Sequence, residues 1–582
     1  MPTIYTRAGS ATFALLTAPH LIRLAPVDLA IIVFYFAFVL AIGFYLKGKA
    51  NTGEDFFLAG REMTAWVAGL AFLSANLGSL ELMGWAASAY QYGILAAHWY
   101  WIGAIPAMVF LGLVMMPFYY ISKTHSVPGY LQLRYGPEAS GLSAITFALM
   151  TILMSGVNMY AMAVVMKVVL GWNINFSIWV SSLTVGVYVA AGGLFSAIFN
   201  EVLQFFLIWF GALLIPILGM VETGGWSGMV ARIHHNFPGQ NFTHLWAPTG
   251  SFAANPMGIN WIGIVFGLGC VQSMGYWTTD FLVVQRVLSA KDIRAAKMAP
   301  ILGSFFKMAV PLIVILPGLL GLAVLSSGPH PIHLYPASNL AAGQHSYNEV
   351  LPLMLARYCG PGLLGLGITA LVAGFMAGMA GNVSAFATVW TYDIYRPFIR
   401  KTAPDKHYVS MGRWCTIIGL IISIGTAYVV MRFASIMDWV QALFGMFIAP
   451  LFATVLLGML WKRVSRWAGF WGLLAGVISS ATMFVLMKVV DPARWVPVFA
   501  LSPLAKPLAQ DMFQALWSCV VSAVVTVLIT FMTKPRPDEE LRGLVYSLTE
   551  VPREEHVSFL RKPVFWGAVA MAILVALQII FW

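Results

Sequence analysis

The stretch FLSANLGSLELMGWAASAYQYG, residues 72–93, decides how this chain folds. It lies inside a long apolar run, yet it holds Ser74, Asn76, Gly78 and Glu81 within a few helical turns. Glycine, serine and asparagine favour local hydrogen bonds that compete with a helix. In lipid, unwound backbone is tolerated only where it lines a cavity enclosed by protein. The stretch therefore predicts a membrane helix that is unwound near its middle, where backbone carbonyls and the two helix ends face a bound substrate or ion.

The composition agrees with a membrane setting. Of 582 residues, 60% are hydrophobic and 9% are charged, against about 25% charged in soluble proteins. In a membrane protein the net charge of +11 indicates basic cytoplasmic loops rather than a nucleic-acid partner. The four cysteines show no metal-ligand spacing, which argues against a disulfide framework or a metal site. Nucleotide-binding, nucleophile and zinc-protease motifs are missing from the sequence, so an enzyme or an ATP-driven pump has little support.

The apolar segments predict an all-α polytopic membrane protein. A crossing needs roughly 20 apolar residues, and the sequence offers about fourteen such segments. Placing both termini outside puts most of the 33 Lys and Arg in inner loops, as the positive-inside rule requires. Only AAGGLFSA, residues 190–197, marks the expected turn at 195/196 between two of these segments. We therefore expect a multi-pass protein of the cell membrane, whose membrane-spanning segments contact the lipid bilayer.

A second segment, GLGCVQSMGYWTTD at residues 267–280, is irregular in the same way. The two irregular helices are five spans apart, which is typical of two inverted five-helix repeats around a site at the bilayer midplane. This organisation divides the chain as follows: a tail and extra helix at 1–61, repeat one at 62–221, an external loop at 222–257, repeat two at 258–461, and further helices at 462–582 with a charged inner segment at 533–562.

Several motifs in the same order resemble the solute:sodium symporters, and within them a bacterial-type member of the sodium/glucose cotransporter branch. They are FFLAGREMTAW (56–66), GGLFSAIFNEVLQ (192–204), GYWTTDFLVVQRVLSAKD (275–292), TYDIY (391–395) and LWKRVSRWAGFWGLLAG (460–476). The resemblance implies a LeuT-like core of two inverted five-helix repeats. It also implies secondary transport of a small solute by alternating access, with no cofactor other than Na⁺ as a possible coupling ion.

The resemblance also implies a solute site. Its residues in this sequence are Asn76, Glu81, Tyr100, Ser273, Tyr276, Trp277, Lys307 and Gln441, with Tyr276 as an inner gate. From the residues alone, a lysine inside a span must face a cavity or pair with a carboxylate such as Glu81 or Asp280. Amide, ammonium, carboxylate and aromatic groups together suit a hydroxylated ring. Tyr100 stands where sugar carriers of the family have Glu, so a smaller or less hydroxylated sugar, or a polyol, is expected.

The ion site is the departure from the family pattern. The resemblance implies Na⁺ ligation by the carbonyls of Ser74, Leu77 and Gly374 and by two serine hydroxyls, whose places hold Ala377 and Gly378. Three interpretations stay open. The site persists with carbonyls, water and nearby polar groups; or coupling has moved to a proton, for which Glu201 and Asp280 are candidate gate or coupling residues; or the protein is an uncoupled facilitator.

Other functions remain as alternatives. A solute sensor of the same fold would share the binding residues, but the short soluble segments leave no room for a signalling domain. A channel should repeat a pore-lining pattern, which the sequence does not show. The identity of the solute and the choice between a monomer and a homodimer stay open at this point.

Overall fold

A computed structural model describes residues 24–46, 61–124, 126–327, 331–341, 343–550 and 558–582. Within these ranges the regular secondary structure is helical, apart from strands β1 (Leu334–Tyr335) and β2 (His345–Ser346), which pair in parallel, and turns and loops connect these elements. The predicted all-α membrane fold is therefore confirmed. Most of the predicted tail, and the segment before Arg61, lie outside the described residues.

Twenty-five α-helices run through the described residues. In the first half of the chain they are α1 Pro26–Leu46, α2 Ala65–Asn76, α3 Ser79–Tyr92, α4 Ile105–Phe110, α5 Met116–Ile121, α6 Val127–Arg134, α7 Pro137–Leu170, α8 Ile174–Ala212, α9 Leu214–Thr223, α10 Gly225–Asn236, α11 Met274–Thr279, α12 Phe281–Leu288 and α13 Ile293–Ala309. In the second half they are α14 Pro311–Val314, α15 Leu316–Val324, α16 Val350–Tyr358, α17 Leu363–Val389, α18 Arg396–Phe398, α19 Asp405–Val430, α20 Ile436–Leu443, α21 Ala449–Leu460, α22 Arg466–Val485, α23 Pro492–Phe499, α24 Pro507–Met532 and α25 Pro563–Ile580.

Wider or tighter helical turns join many of these helices. The π-helical segments are Tyr100–Ala104, Leu111–Met115, Gly263–Ser273, Trp390–Tyr395, Phe444–Ile448 and Leu486–Val490, and the 3₁₀ segments are Gly93–Trp99, Ala247–Gly250, Ala337–Asn339, Tyr347–Glu349, Asp538–Leu541, Tyr546–Leu548 and Phe559–Arg561. Since π-turns interrupt α-helices most often at functional sites, their number here points to helices shaped around a cavity.

The helices form a buried centre and a lipid-facing rim. The span that contains α17 is 89% buried inside the protein, and α17 packs against α2, α3, α7 and α8. The spans of α22, α24 and α25 are each 28% buried, so most of their apolar surface faces outward. This arrangement is expected in a bilayer. Lipid chains are as apolar as hydrophobic side chains, so the outer helices can expose apolar surface to lipid without a cost.

The first predicted break lies between α2 and α3. Leu77 leaves the helical region with ψ of 53°, and Gly78 is extended with ψ of 170°. The Leu77 N–H closes α2 on the carbonyls of Leu73 and Ser74, and the Gly78 carbonyl accepts the first bond of α3 from the Glu81 N–H. Glycine at 78 leaves room for Asn158, since a Cβ there would lie 2.9 Å from Asn158 Oδ1 and one of the two would have to shift.

The second break lies at the end of the irregular segment rather than at its middle. Through Ser273 the chain keeps a π-helical ladder, which continues into α11. The backbone opens at Asp280, which has ψ of 113° and accepts a hydrogen bond from the Leu282 N–H at 2.9 Å. Asp280 is thus the N-cap of α12, a role that suits an aspartate whose side chain replaces the missing helical acceptor.

One predicted boundary is wrong. The turn expected at 195/196 does not interrupt α8, which is a single helix from Ile174 to Ala212. Small residues such as those of the AAGGLFSA stretch remain helical in membranes where neighbouring helices pack against them. The side chains of residues 184–197 lie outside the described part. Ten helical stretches of the described chain are long and apolar enough to span a membrane, so the count of fourteen stays a prediction.

Candidate solute and ion site

The eight predicted solute residues line one cavity beside the break between α2 and α3. They are Asn76, Glu81, Tyr100, Ser273, Tyr276, Trp277, Lys307 and Gln441. The cavity holds about 70 Å³, which is room for roughly five water molecules. Residues that are more than 360 positions apart in sequence therefore meet at one place, and the fold brings together the whole predicted set.

Lys307, near the end of α13, is the centre of the polar network. Its side chain is 2% exposed, and Nζ lies 3.2 Å from Glu81 Oε1 on α3. Nζ also donates to Asn76 Oδ1 at the end of α2, and Asn76 Nδ2 donates to Tyr276 Oη at 2.8 Å. Both open interpretations of Lys307 are thus realised together: it faces the cavity and pairs with Glu81.

Aromatic rings surround the ammonium group of Lys307. Nζ lies 4.7 Å from the ring centre of Tyr100 and 5.0 Å from that of Trp277. Rings at this distance attract a cation through their electron-rich faces. Tyr100 Oη also donates to Glu81 Oε1 at 2.8 Å, so the tyrosine that replaces the family glutamate uses part of the acceptor capacity of Glu81.

The remaining predicted solute residues close the other walls. Tyr276 packs on Phe444 with ring centres 4.8 Å apart, and Ser273 lies against Gly103, where a Cβ would come within 2.4 Å of its hydroxyl. Gln441 on α20 accepts a hydrogen bond from Trp99 Nε1 at 3.1 Å. The cavity is therefore lined by two hydrogen-bonded groups, one around Lys307 and one around Gln441, and by aromatic rings.

Sequence reasoning missed several lining residues, and three of them surround Gln441. Trp99 holds the Gln441 side chain, and Trp85 packs on Trp99 at 4.8 Å. Gln272 Nε2 donates to the Gln441 carbonyl at 2.9 Å and so ties the second irregular helix to α20. The cluster HWYW at 98–101, directly after the first broken helix, was the signal that could have identified the aromatic wall.

The predicted ion residues meet where α17 crosses the first break. A Cβ on Gly374 would lie 3.0 Å from the Leu77 carbonyl oxygen, and a Cβ on Gly378 would lie 3.2 Å from Gly78 Cα. Ser74 is fully buried, and Gly378 lines the cavity. Ala377 is buried without lining the cavity. The backbone part of the predicted ion site is thus assembled, whereas positions 377 and 378 contribute no hydroxyl.

The two predicted gate residues have separate roles. Glu201 on α8 forms a fully buried ion pair with Arg286 on α12, with Nη2 2.6 Å from Oε1. Arg286 Nη1 donates to the Gln285 side chain and to the Leu282 carbonyl. Asp280 caps α12 instead of pairing with Arg286. The buried ion pair at this point therefore joins Glu201 to Arg286, and a gate or coupling role for Glu201 and Asp280 stays a prediction.

The charges of the cavity cancel. Of its lining residues in the described chain, only Lys307 and Glu81 are charged, and they face each other. A lone charge inside a membrane protein is costly, but a compensated pair can be held there. The cavity thus offers donors, acceptors and ring faces without a net charge.

Comparison with known proteins agrees with this site. The sequence model of the Sodium:solute symporter family matches residues 56–476. The chain is 27% identical to "Sodium/glucose cotransporter 4" of Homo sapiens, over 93% of this chain and 82% of that protein. It is 28% identical to the "Sodium/myo-inositol cotransporter" of Mus musculus, over 79% of this chain and 67% of that protein.

The fold is also found among solved structures. The substrate-bound, outward-open structure of a Na⁺-coupled sialic acid symporter superposes with a TM-score of 0.69 at 19% identity, over 88% of this chain and 99% of that one. The predicted LeuT-like core is confirmed by this class of neighbour. Together with the family match, these findings show that the chain belongs to the sodium:solute symporter family, as a Na⁺-coupled membrane symporter of small polar solutes and not an enzyme.

Proposed function

We propose that this symporter carries a neutral, polyhydroxylated solute, a sugar or a polyol, by alternating access. The observation that carries the proposal is the buried Lys307–Glu81 pair at 3.2 Å inside the cavity. An anionic solute needs an uncompensated cation, and a cationic solute needs an uncompensated anion. A site whose two charges neutralise each other favours a solute with hydroxyls and no charge.

The donors and acceptors of the cavity suit hydroxyl groups. Each hydroxyl both donates and accepts, and the cavity presents the amides of Asn76 and Gln441, the ammonium of Lys307 and the carboxylate of Glu81. The ring of Trp277 can cover the apolar face of a sugar or an inositol. Two relatives are named as glucose and myo-inositol cotransporters, which supports this solute class.

The network must open for the solute to bind. Lys307 is bonded to both Asn76 and Glu81, and the cavity of about 70 Å³ is well below the 300–1,000 Å³ of pockets for drug-sized ligands. Solute hydroxyls therefore replace contacts that the side chains make with each other. Tyr100 also donates to Glu81, so solute hydroxyls compete with the tyrosine for that carboxylate.

We also propose a cell-membrane location with both termini outside. Arg536 donates to the carbonyls of Leu133 and Arg134, and Lys462 pairs with Asp538 at 2.8 Å, so segments expected inside contact each other. On the opposite side, the C-terminal Trp582 accepts hydrogen bonds from backbone N–H groups of the predicted external loop.

Two ion pairs tie the ends of two long helical segments to one short helix, α16. Lys167, near the end of α7, lies 3.3 Å from Glu349, and Glu222, near the end of α9, lies 2.6 Å from Arg357. Glu349 directly precedes α16 and Arg357 lies in its last turn, so both ends meet the segment that the proposed topology places outside. Labelling of single cysteines introduced at each terminus in intact cells measures the sidedness directly.

The solute class is tested by transport in proteoliposomes. We expect uptake driven by an inward Na⁺ gradient for neutral hexoses or inositols, and competition among them, but none for sialic acid or basic amino acids. Lys307→Met should abolish this uptake. Lys167→Met is the matched control, since its ammonium is half exposed and pairs outside the cavity. Transport of a charged solute in preference to every neutral one would contradict the proposal.

A further inference from the structure

Asn158, in the middle of α7, has a buried side chain whose oxygen is unused. The residue is 2% exposed, and within the described chain Oδ1 has no hydrogen-bond partner. Its amide nitrogen makes one long contact, 3.5 Å to the Met154 carbonyl. A buried amide oxygen without a partner costs about 1–3 kcal/mol, so a fold that keeps one needs a reason.

The Asn158 oxygen is aimed at the break between α2 and α3. It would lie 2.9 Å from a Cβ on Gly78 and 3.1 Å from a Cβ on Gly378 of α17. The two glycines thus leave room for the amide, and a larger residue at either position would collide with it. Asn158 also lines the cavity that holds Lys307 and Glu81, so the oxygen is reachable from the solute site.

Other oxygen atoms are available around the same point. The hydroxyls of Ser74 and Ser79, on the two sides of the break, are buried and lack partners within the described residues. The Leu77 carbonyl faces Gly374, and the Gly374 carbonyl lies 3.6 Å from the position of a Cβ on Gly78. The Leu77 carbonyl stands at the C-terminal end of the half-helix α2, where the helix dipole favours a cation, whereas the Gly374 carbonyl belongs to the middle of α17.

We propose that Asn158 Oδ1 is a ligand of the coupling Na⁺, and that it replaces the side-chain oxygens that are missing at Ala377 and Gly378. A hard cation is held by carbonyl and amide oxygens alike. A Cβ on Gly378 would lie 3.1 Å from the amide oxygen, so a side chain from α17 would push the amide away from the break. The chain therefore has glycine on α17 and the ligand on α7. This inference rests on Na⁺-coupled transport but not on the identity of the solute.

The test is a Na⁺ titration of the purified full-length protein without solute. The midpoint of thermal unfolding is followed while Na⁺ replaces choline at constant ionic strength. Asn158→Leu keeps the shape of the side chain and removes the oxygen, so we expect the Na⁺ concentration for half of the stabilisation to rise at least about tenfold. Asn158→Asp keeps an oxygen and adds charge, so its half-effect concentration should equal or fall below that of the unaltered protein.

Ser155→Ala is the matched control. Ser155 is buried on the same helix one turn earlier, and its hydroxyl already donates to the Thr151 carbonyl at 2.9 Å. Its Na⁺ titration should equal that of the unaltered protein. If the leucine variant does not fold, Asn158→Ser shortens the side chain and should show the same rise.

Three outcomes would overturn the proposal. The first is an unchanged Na⁺ titration in Asn158→Leu or Asn158→Ser. The second is a loss of solute affinity at saturating Na⁺ with an unchanged Na⁺ titration, which would make Asn158 a solute contact. The third is a protein that does not respond to Na⁺ at all. None of these results depends on sugar or polyol uptake, so failure of the proposed solute class remains a separate observation.

Discussion

Removing one partner of the Lys307–Glu81 pair should destabilise the protein more than removing both. At 3.2 Å and an effective dielectric of about 20, the two charges attract by about 5 kcal/mol. Desolvation offsets much of this attraction while both charges are present, but a single buried charge left behind costs about 3–5 kcal/mol. Lys307→Met leaves the Glu81 carboxylate alone, and Glu81→Gln leaves the ammonium alone. The double variant leaves neither.

The size of the effect can be measured by thermal unfolding in detergent, with the 21 tryptophans as the signal. At about 2.1 cal/mol/K per residue, 582 residues give an unfolding entropy of about 1.2 kcal/mol/K. A loss of 3–5 kcal/mol therefore lowers the midpoint by about 3–4 °C in each single variant. The double variant should fall by less than either single variant, so the coupling energy, which is the sum of the two single losses minus the double loss, should exceed about 3–5 kcal/mol.

One further readout separates the pair from simple packing. The double variant should fail to bind solute although its stability is largely recovered. Midpoints of the single variants within about 0.5 °C of the unaltered protein, or strictly additive losses, would refute the buried pair.

Other predictions concern contacts outside this pair. Arg286→Met should lower the free energy of unfolding by about 3–5 kcal/mol, because it leaves the fully buried Glu201 carboxylate without its ion-pair partner. Adding Glu201→Gln should recover part of this loss in the same thermal assay. Asp28→Ala removes two 2.7 Å hydrogen bonds to backbone N–H groups at the start of α17, and should cost about 1–3 kcal/mol in thermal unfolding. Tyr276→Phe keeps the ring but loses the partner of Asn76, so solute affinity in a binding assay should fall about 2- to 10-fold, as expected for one hydrogen bond; unchanged affinity would remove Tyr276 from the site.

The residues that line the solute cavity could be predicted from sequence, because polar residues inside apolar segments can occupy few kinds of environment. A lysine inside an apolar segment must find a cavity or a carboxylate, and Lys307 finds both. The unusual composition around Asn76 and Gly78 marks the first break to within two residues. Composition and family motifs carried this information without any knowledge of which helices are neighbours.

The remaining features depend on contacts between distant elements. The composition of residues 267–280 is irregular throughout, so it does not show where the helix opens. In the structure the backbone at Ser273 stays within a π-helix, and the helix opens at Asp280 instead. Asn158 is the one side-chain amide of the apolar helix α7, and such a residue usually forms a hydrogen bond to a neighbouring helix. Its importance becomes visible only when Gly78 and Gly378, separated by 300 positions, are seen on either side of its oxygen.

The geometry explains how solute and ion can be coupled. Asn76 and Glu81 contact Lys307 in the solute cavity, while Leu77 and Gly78 between them face α17 and Asn158 at the proposed ion site. One unwound turn therefore belongs to both sites, and its backbone cannot move for one ligand without moving for the other. A cation that orders this turn lowers the cost of arranging Asn76 and Glu81 for the solute, and linkage requires the solute to tighten the cation equally. Coupling thus follows from sharing a single break, without any signal passed through a longer path.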